Sequence, residues 1–340
     1  MIRYWLVRLA AWIVPWIPLR IARPLALAAG TLTWALSGTA RRRAIWNLGH
    51  VPSLDDDPER IRRVARGVFR TSALNYLDFL RGPRLSDDEL LAGWTIENQE
   101  AFDTAVALGK GLIVLGAHFG NFELAASRLG AMGQRLIIPV EHMRPERLFR
   151  LFRSIRQHHG LHVVPADSRE ALRELLEALK RGEVVMFLAD RYVLGASVDV
   201  PFFGVPARFA SAPIALALRS GAPVLTAYSW REGPGRWHGL FVPLTLTDEG
   251  GNERGGREAA HADVASGGVR APAAVARART QEVTARALRR FLEVLERHVA
   301  EHPDQWVSAT LPIWPTPESP RADAPAEAPA TSGPEERRGA

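Results

Sequence analysis

Short runs of consecutive apolar residues alternate along the chain with longer stretches in which apolar residues recur every three or four positions. The runs are typical of strands buried on both faces, and the periodic stretches are typical of helices that bury one face. The runs that predict strands cover residues 111–116, 135–140, 162–165, 184–189, 223–229 and 239–244. The stretches that predict helices cover residues 57–81, 121–132, 145–157, 168–181, 211–220 and 280–300.

This alternation predicts an α/β fold with a mainly parallel central sheet flanked by helices. We assign residues 51–314 to this domain and residues 1–50 to a separate helical region. Residues 248–272 are rich in glycine, alanine, glutamate and arginine without a period, so we expect a mobile surface insertion there. Residues 315–340 combine prolines with alanine, glutamate and serine, which indicates a disordered tail.

The first 50 residues are both apolar and basic. No acidic residue precedes Asp55, whereas arginines and tryptophans are interleaved with leucine, isoleucine and alanine. This combination is typical of a helical segment that lies at a lipid headgroup boundary. The residues concerned are Arg3, Arg8, Arg20, Arg23, Arg41, Arg42 and Arg43, with Trp5, Trp12, Trp16 and Trp34.

The uncharged apolar runs of this region are short. As helices, residues 9–19 and 24–36 would reach about 16 and 20 Å, less than the ~30 Å of a bilayer's hydrocarbon core. Pro15, Pro18 and Pro24 interrupt the pattern further. We therefore predict a monotopic membrane anchor, with a single N-terminal span as the alternative.

Composition narrows the chemistry of the 340-residue chain. It carries a net charge of +6 and no cysteine, which excludes disulfides, thiolate metal sites and a cysteine nucleophile. Lys110 and Lys180 are the only lysines, so nearly all of the positive charge is arginine. Arginine binds phosphate and carboxylate well, although a compositional bias of the genome accounts for the same preference.

The segment from Gly109 to Glu123, GKGLIVLGAHFGNFE, has the strongest chemical signal. A buried strand ends at Ala117, and His118 follows at the carboxyl end, where ligands bind in open α/β sheets. If His118 lies in the turn before the next helix, Glu123 in its first turn can accept a hydrogen bond from one imidazole nitrogen. The other nitrogen is then free to act as a base. The alternative is structural, with a capping histidine and a glutamate favoured by the helix dipole.

Two further sets of residues are candidates for binding. Asp190 and Arg191 follow another buried strand, and they either bind substrate or form an ion pair that anchors a loop. Phe202 and Phe203 could line an acyl channel or pack in the core. A basic stripe could meet phosphates of a substrate or of lipid headgroups, or be an ordinary solvated face. The stripe consists of Arg144, Arg147, Arg150, Arg153 and Arg156.

Several other classes of function lack support in the sequence. His158, His159 and His162 have no carboxylates at metal-binding spacing, so we predict no metal site. The chain has no H-E-x-x-H motif, no G-x-S-x-G elbow and no phosphate-binding P-loop. A nucleic-acid partner would use the positive charge, but no recognised binding module is present and we predict none.

The segment GKGLIVLGAHFGNFE resembles the first motif block of the lipid A late acyltransferases and the phosphatidylinositol mannoside acyltransferases. Both belong to the wider glycerophospholipid acyltransferase superfamily, whose signature is histidine, four residues, then aspartate or glutamate. The resemblance covers roughly residues 1–314, with further blocks in the same order. These are RRRAIWNL at 41–48, HMRP at 142–145, ADR at 189–191, VDVPFFGVPA at 198–207 and HPDQW at 302–306.

The resemblance implies that His118 deprotonates the acceptor hydroxyl, which then attacks the thioester of an acyl-coenzyme A or an acyl-carrier protein. Glu123 would orient and support the imidazolium, with Asn121, Arg156 and backbone N–H groups as candidates for stabilising the oxyanion. The acyl thioester is a co-substrate, and no cofactor is expected. Tyr192 stands where relatives commonly carry an acidic residue, which affects the expected contacts with the acceptor.

By the same resemblance, the acceptor is a membrane glycolipid or phospholipid precursor at the cytoplasmic face of the inner membrane. ADR and VDVPFFG favour a phosphatidylinositol mannoside type of acceptor. A membrane-bound acyl thioesterase that uses His118 and Glu123 to activate water is the alternative function. Only a requirement for a lipid acceptor separates the two. The acyl chain length, the type of donor and the oligomeric state do not follow from the sequence.

Overall fold

The computed structural model describes residues 2–193, 195–246 and 273–315. The predicted insertion at 248–272 and all but the first residue of the predicted tail lie outside these residues. The helices are α1 (Ile2–Ile13), α2 (Leu19–Leu36), α3 (Gly38–Leu48), α4 (Pro58–Arg81), α5 (Asp87–Leu91), α6 (Gln99–Ala107), α7 (Phe122–Ala131), α8 (Glu146–Gln157), α9 (Ala171–Lys180), α10 (Ala212–Ser220) and α11 (Ala273–Glu301).

The strands form one large sheet and one hairpin. They are β1 (Trp94–Glu97), β2 (Leu112–Gly116), β3 (Leu136–Val140), β4 (Leu161–Pro165), β5 (Val184–Leu188), β6 (Ser197–Phe202), β7 (Val205–Ala210), β8 (Val224–Gly233) and β9 (Arg236–Pro243). The seven-stranded sheet has the order β1-β9-β8-β2-β5-β3-β4, and β6 pairs with β7. Within the large sheet only β8 and β9 are antiparallel. The predicted α/β fold with a mainly parallel sheet is confirmed.

The centre of the sheet is buried on both faces. Every residue of β2 is buried, with Ile113 and Leu115 in one apolar cluster and Leu112 and Val114 in the other. Successive side chains of a strand point to opposite faces, so a strand covered on both sides must be apolar throughout. β2 is the fourth of the seven strands, so its carboxyl end lies at the centre of the row of strand ends.

Helix ends follow the chemistry of their flanking residues. The Asp57 carboxylate caps α4 by accepting hydrogen bonds from the backbone N–H groups of Glu59 and Arg60, at 2.9 and 3.2 Å. Gly221 ends α10 with a φ of +67°, a conformation that costs glycine little. Both boundaries match the predicted helices within one or two residues.

Two β elements were missed by the pattern. The edge strand β1 has only four residues, which alternate between half-buried and exposed. The β6–β7 hairpin contains VDVPFFGVPA and turns at Phe203 and Gly204, both with positive φ. Phe202 is fully buried and stacks on Trp314 with ring centroids 5.4 Å apart, so it packs in the core.

The N-terminal region forms α1, α2 and α3. α2 packs closely on α4 at Gly30, where a Cβ would lie 2.7 Å from the carbonyl oxygen of Phe69. Among the described residues, no helix combines the length and the apolar character needed to cross a bilayer. Large apolar side chains are nevertheless exposed along α1, α2 and the turn between them. They are Trp5, Leu6, Leu9, Trp12, Ile13, Trp16, Leu19, Ile21, Leu25, Leu32 and Leu36.

Candidate active site

His118 lies two residues beyond the end of β2, at the middle of the sheet. β5 and β8 flank β2, and the backbone of Ala189 at the end of β5 donates a hydrogen bond to Gly116 at 2.9 Å. The carboxyl ends of β2 and β5, which are parallel, therefore lie side by side at the same edge of the sheet. Asp190, the next residue after Ala189, is brought beside His118.

His118 is hydrogen-bonded to Asp190. The imidazole Nδ1 lies 2.8 Å from Oδ1 of Asp190, whose side chain is completely buried. The second carboxylate oxygen, Oδ2, accepts a hydrogen bond from the Ser308 hydroxyl at 2.5 Å. Burial alone would raise the pKa of Asp190, but the charge and hydrogen bonds of His118 and the hydroxyl of Ser308 outweigh it and lower the pKa.

This geometry fixes the role of each imidazole nitrogen. An ionised carboxylate can only accept a hydrogen bond, so Nδ1 carries the proton and Nε2 holds the lone pair. The His118 side chain is 18% exposed, which leaves it accessible from outside. A histidine with one nitrogen held by a buried carboxylate and the other free is the base-and-orienter arrangement of general-base catalysis.

The predicted hydrogen bond between His118 and Glu123 is absent, because Glu123 pairs with Arg156. Its carboxylate accepts from Nε of Arg156 at 3.0 Å and from a terminal guanidinium nitrogen as well. Glu123 lies in the first turn of α7 and faces α8, whereas the imidazole faces β5. Burial alone would lower the pKa of Arg156, but the charge and hydrogen bond of Glu123 raise it. The pair joins the start of α7 to α8.

Asn121 caps α7 and joins the loop to α4. Its Oδ1 accepts from the backbone of Leu124 at 3.2 Å, and its Nδ2 donates to Oδ2 of Asp78 at 2.7 Å. Arg231 contacts the same oxygen at 2.5 Å, and its backbone N–H donates to the Gln305 side chain at 2.7 Å. The structure thus places Asn121 in a buried polar network one turn from His118.

Gly120 lets the loop pass close to β8. Its φ is +56°, and a Cβ would lie 1.8 Å from the carbonyl oxygen of Ser229. The backbone N–H of Gly120 donates to the carbonyl of Gln305 at 2.9 Å, and its carbonyl accepts from the Asn75 side chain at 2.5 Å. Only glycine fits this conformation and this spacing.

An apolar pocket lies beside His118, between α7 and the sheet. It contains about 480 Å³ of empty space, part of it open to solvent. The ring of Phe122, which lines the pocket, is 5.0 Å from the imidazole of His118. The pocket continues across β8 and β9 to β1, three strand spacings or roughly 14 Å from β2. Its lining is Trp94, Ile96, Gly116, Ala117, Phe122, Ala125, Arg128, Leu129, Met186, Ala227, Tyr228, Ser229, Gly239, Leu240 and Phe241.

Residues 1–260 match the family model for bacterial lipid A biosynthesis acyltransferases. The chain belongs to this family. It is also similar to curated phosphatidylinositol mannoside acyltransferases. Those of two strains of Mycobacterium tuberculosis are 30% identical over 208 residues, 59% of this chain and 63% of the relative. That of Mycolicibacterium smegmatis is 29% identical over 149 residues, 43% of this chain and 49% of the relative. These matches cover less than two thirds of the relatives' length.

The remaining predicted residues of this acyltransferase family member are exposed or half-buried. Arg191 pairs with Glu141 at 3.0 Å. Arg144 is exposed just before α8, and Arg153 is half-buried on that helix. Of the stripe, Arg156 forms the ion pair with Glu123 described above.

Sequence reasoning missed several residues of the site. Asn75 and Asp78 lie on α4 at positions where the helical periodicity predicts apolar residues. Polar residues at such positions were a signal in the sequence that could have identified them. Gln305 belongs to the HPDQW block, but Ser308 lies beyond any recognised motif. Within the described residues, no cluster of three or more histidine, aspartate and glutamate side chains is arranged to hold a metal ion.

Proposed function

We propose that this protein transfers a fatty acyl group from an acyl thioester to a hydroxyl of a glycolipid or phospholipid precursor, with His118 as the general base. The observation that carries the proposal is the His118–Asp190 pair beside an apolar pocket. The pair supplies a base, and the pocket suits a hydrocarbon chain. Family membership supports the same reaction class.

The reaction needs one proton transfer to start. Nε2 of His118 removes the proton of the acceptor hydroxyl as its oxygen attacks the thioester carbonyl carbon. Collapse of the tetrahedral intermediate breaks the carbon–sulfur bond, and the imidazolium returns the proton to the leaving thiolate. The products are an ester and a free thiol. Asp190 keeps the imidazole in the required tautomer and stabilises the imidazolium.

The developing oxyanion needs hydrogen-bond donors near His118. The first backbone N–H groups of α7 have no intrahelical partners, and the helix dipole favours negative charge there. Asn121 and Arg156 are further candidates, although their side chains already hold Asp78 and Glu123. We assign Glu123 an indirect part, because it fixes Arg156 and the start of α7 next to the base.

The pocket supports an acyl site with a defined direction. It begins at Gly116 and Phe122 and extends beneath α7 toward Trp94 on the edge strand. A thioester carbonyl held at its entrance would lie beside the imidazole, with the chain buried behind it. The donor is a coenzyme A or carrier-protein thioester, whose phosphates the exposed Arg144 and neighbouring Arg153 suit.

The names of the relatives suggest the acceptor. Curated relatives are phosphatidylinositol mannoside acyltransferases, and we propose an acceptor of that type for this chain. We further propose that the exposed apolar residues of α1 and α2 dock on a bilayer. Trp12 on α1 and Trp16 in the turn before α2 are 70% and 66% exposed, which suits an interfacial segment. Docking would bring the enzyme to its lipid acceptor at the cytoplasmic face of the inner membrane.

The test is acyl transfer by the purified protein from radiolabelled palmitoyl-coenzyme A into a mixed membrane lipid extract. His118→Ala is assayed in parallel, and mass spectrometry identifies the labelled lipid. We expect a labelled lipid from the wild type and at least a ~100-fold lower rate from the variant. Equal label with both proteins would remove His118 from the mechanism. Free fatty acid that forms without any lipid acceptor would make the protein a thioesterase. If no product forms, the assay is repeated with an acyl-carrier protein donor.

A further inference from the structure

The segment that follows α11 is hydrogen-bonded to the loop between β2 and α7, which carries His118. We call residues 303–310 the C-terminal strap; it includes the fully buried Trp306, which pairs with Phe119. The carbonyl of Gln305 accepts from the backbone of Gly120 at 2.9 Å. The backbone N–H of Val307 donates to the His118 carbonyl at 2.8 Å. The strap therefore holds the backbone of the loop from His118 to Gly120, although it lies outside residues 1–260 matched by the family model.

Ser308 is the residue of the strap that reaches both members of the catalytic pair. Its hydroxyl donates to Oδ2 of Asp190 at 2.5 Å, and its backbone N–H lies 3.3 Å from the carbonyl oxygen of His118. Oδ1 of Asp190 is left for the imidazole, at 2.8 Å. Each carboxylate oxygen thus has its own donor, and the two donors come from distant parts of the chain.

The location of Ser308 excludes a nucleophilic role. Its side chain is completely buried, and its hydroxyl is bound to the carboxylate rather than to the imidazole nitrogen that would activate it. A buried carboxylate, in contrast, needs donors to remain ionised. The hydroxyl of Ser308 is one of the contacts that lower the pKa of Asp190 despite its burial.

We propose that Ser308 is a positioning residue for acyl transfer. It holds the Asp190 carboxylate ionised and rotated so that Oδ1 faces Nδ1 of His118, which keeps Nε2 as the free base. The inference rests on the proposed role of His118. It adds a third member to the catalytic pair, supplied by the C-terminal strap.

The test compares Ser308→Ala with Ser53→Ala in the full chain. Ser53 is a matched control, because its half-buried hydroxyl donates to the Ala300 carbonyl at 2.8 Å, near the end of the same helix that leads into the strap. We measure kcat and KM for acyl transfer and the proton NMR resonance of the His118 Nδ1–H. His118→Gln assigns that resonance by its disappearance.

We expect Ser308→Ala to lower kcat about tenfold with little change in KM, the scale of one hydrogen bond to a charged group. The Nδ1–H resonance should shift or broaden, while Ser53→Ala leaves both readouts at wild-type values. An unchanged resonance and kcat in Ser308→Ala, or an equal change in the control, would overturn the inference. The resonance is read without substrate, so a wild type without acyl transfer would refute the proposed function and leave this test of the contact intact.

Discussion

The buried carboxylate of Asp190 and the half-buried carboxylate of Glu123 lie beside the same loop but have different partners. Asp190 is held by His118 and Ser308, and in the proposed reaction its charge would stabilise the imidazolium of His118. Glu123 is held by the permanently charged guanidinium of Arg156, which also lies over the ring of Phe79 at 5.2 Å. A carboxylate already neutralised by arginine has less to offer an imidazolium. We therefore assign orientation of the base to Asp190 and support of the α7–α8 contact to Glu123.

Asp190→Asn tests the first assignment. The amide can present a donor to Nδ1, which favours the tautomer with the proton on Nε2 and removes the base. We expect kcat to fall by roughly 10³-fold or more, with the far-ultraviolet circular dichroism spectrum unchanged. Asp199→Asn is the control, because Asp199 forms an exposed ion pair with Arg208 on the β6–β7 hairpin. Equal activity of Asp190→Asn and the wild type would contradict the assignment.

Glu123→Gln tests the assignment of Glu123 to the contact between α7 and α8. Removal of the charge leaves the Arg156 guanidinium, which is only 13% exposed, without its counter-ion. We expect the free energy of unfolding in urea to fall by about 1–3 kcal/mol. The double variant Glu123→Gln/Arg156→Met should recover part of this loss, since it also removes the uncompensated charge. Strictly additive losses would show that the two side chains do not stabilise each other.

The sheet edge that carries His118 and Asp190 could be predicted from the sequence, but the partners of these side chains could not. His118 and Asp190 each follow a buried apolar run, and this pattern can be read along the chain. Their pairing joins residues 72 positions apart and depends on β5 lying next to β2. The His118–Glu123 contact was wrong because five residues of separation do not fix side-chain direction in a loop. Ser308 is a single hydroxyl in a non-periodic segment, and it carried no signal.

Three secondary-structure elements contact the loop between β2 and α7. α4, β8 and the C-terminal strap all contact it at Gly120, through Asn75, Ser229 and Gln305. Three elements from different parts of the chain thus determine where the base lies. A change in the loop backbone should affect His118 even where no catalytic side chain is altered.

Gly120→Ala tests this support. The added Cβ would overlap the Ser229 carbonyl in a backbone conformation that already disfavours alanine, so either the loop or β8 must move. Gly133→Ala is the matched control, because Gly133 has a φ of +81° but open space around its Cβ position. We expect the control to lose about 1 kcal/mol of stability and keep its kcat. Gly120→Ala should lose more stability and most of its kcat, and identical behaviour of both variants would contradict the tight fit.

Strand and helix prediction succeeded where burial was uniform. The central strands were visible as apolar runs because parallel strands covered on both faces admit few polar residues. β1 escaped notice because an edge strand of four alternating residues resembles a loop. The β6–β7 hairpin escaped because Pro201 and Pro206 stand opposite each other within its strands. Prolines are expected only at strand edges or bulges, and the hairpin has no neighbours in the large sheet.

α11 carries a histidine whose titration should affect stability. His298 stacks on Trp230 with ring centroids 4.7 Å apart. Burial lowers the pKa of His298 from its usual 6.5, although Glu301 opposes the shift. The unfolded chain therefore binds this proton at a higher pH than the folded protein does. The contribution of His298 to the free energy of unfolding is therefore fully present above pH 6.5. It is lost as the pH falls from 6.5 through the pKa that His298 has in the folded protein.

We expect the free energy of unfolding of the wild type to decline as the pH falls below about 6.5, because the folded protein binds this proton less readily than the unfolded chain. His298→Gln should decline less steeply over this range, because its side chain does not titrate. Urea unfolding at closely spaced pH values measures the difference. His158→Gln is the control, since His158 is exposed at the end of α8. Parallel pH curves for the wild type and His298→Gln would show that His298 does not contribute.

Across the whole molecule, α4 connects the proposed docking surface to the site. Leu74 and Leu77 pack with Ala22 of α2, while Asn75 and Asp78 on the same helix hold the catalytic loop. The same helix thus contacts the N-terminal helices on one side and the loop after His118 on the other. In the proposed docking of α1 and α2 on a bilayer, this arrangement would hold the site at a fixed distance from the lipid acceptor.

Leu9→Ser combined with Trp12→Ser tests the docking surface. The two side chains are 52% and 70% exposed and lie one turn apart on α1, so their loss removes apolar contact area without opening the core. We expect binding to liposomes that contain anionic lipid to weaken roughly tenfold or more, since each large apolar side chain contributes about 1.5–3 kcal/mol when fully buried. Turnover of a lipid acceptor in vesicles should fall in parallel.

Leu172→Ser with Leu218→Ser controls for a general loss of surface apolarity. These side chains are 48% and 43% exposed on α9 and α10, outside the N-terminal helices. Sedimentation with liposomes should give wild-type binding for this pair, and both double variants should match the wild type in thermal unfolding. Equal weakening by the two double variants would mean that binding follows overall apolarity rather than α1. Unchanged binding of the α1 variant would place the membrane contact elsewhere on the chain and separate docking from catalysis.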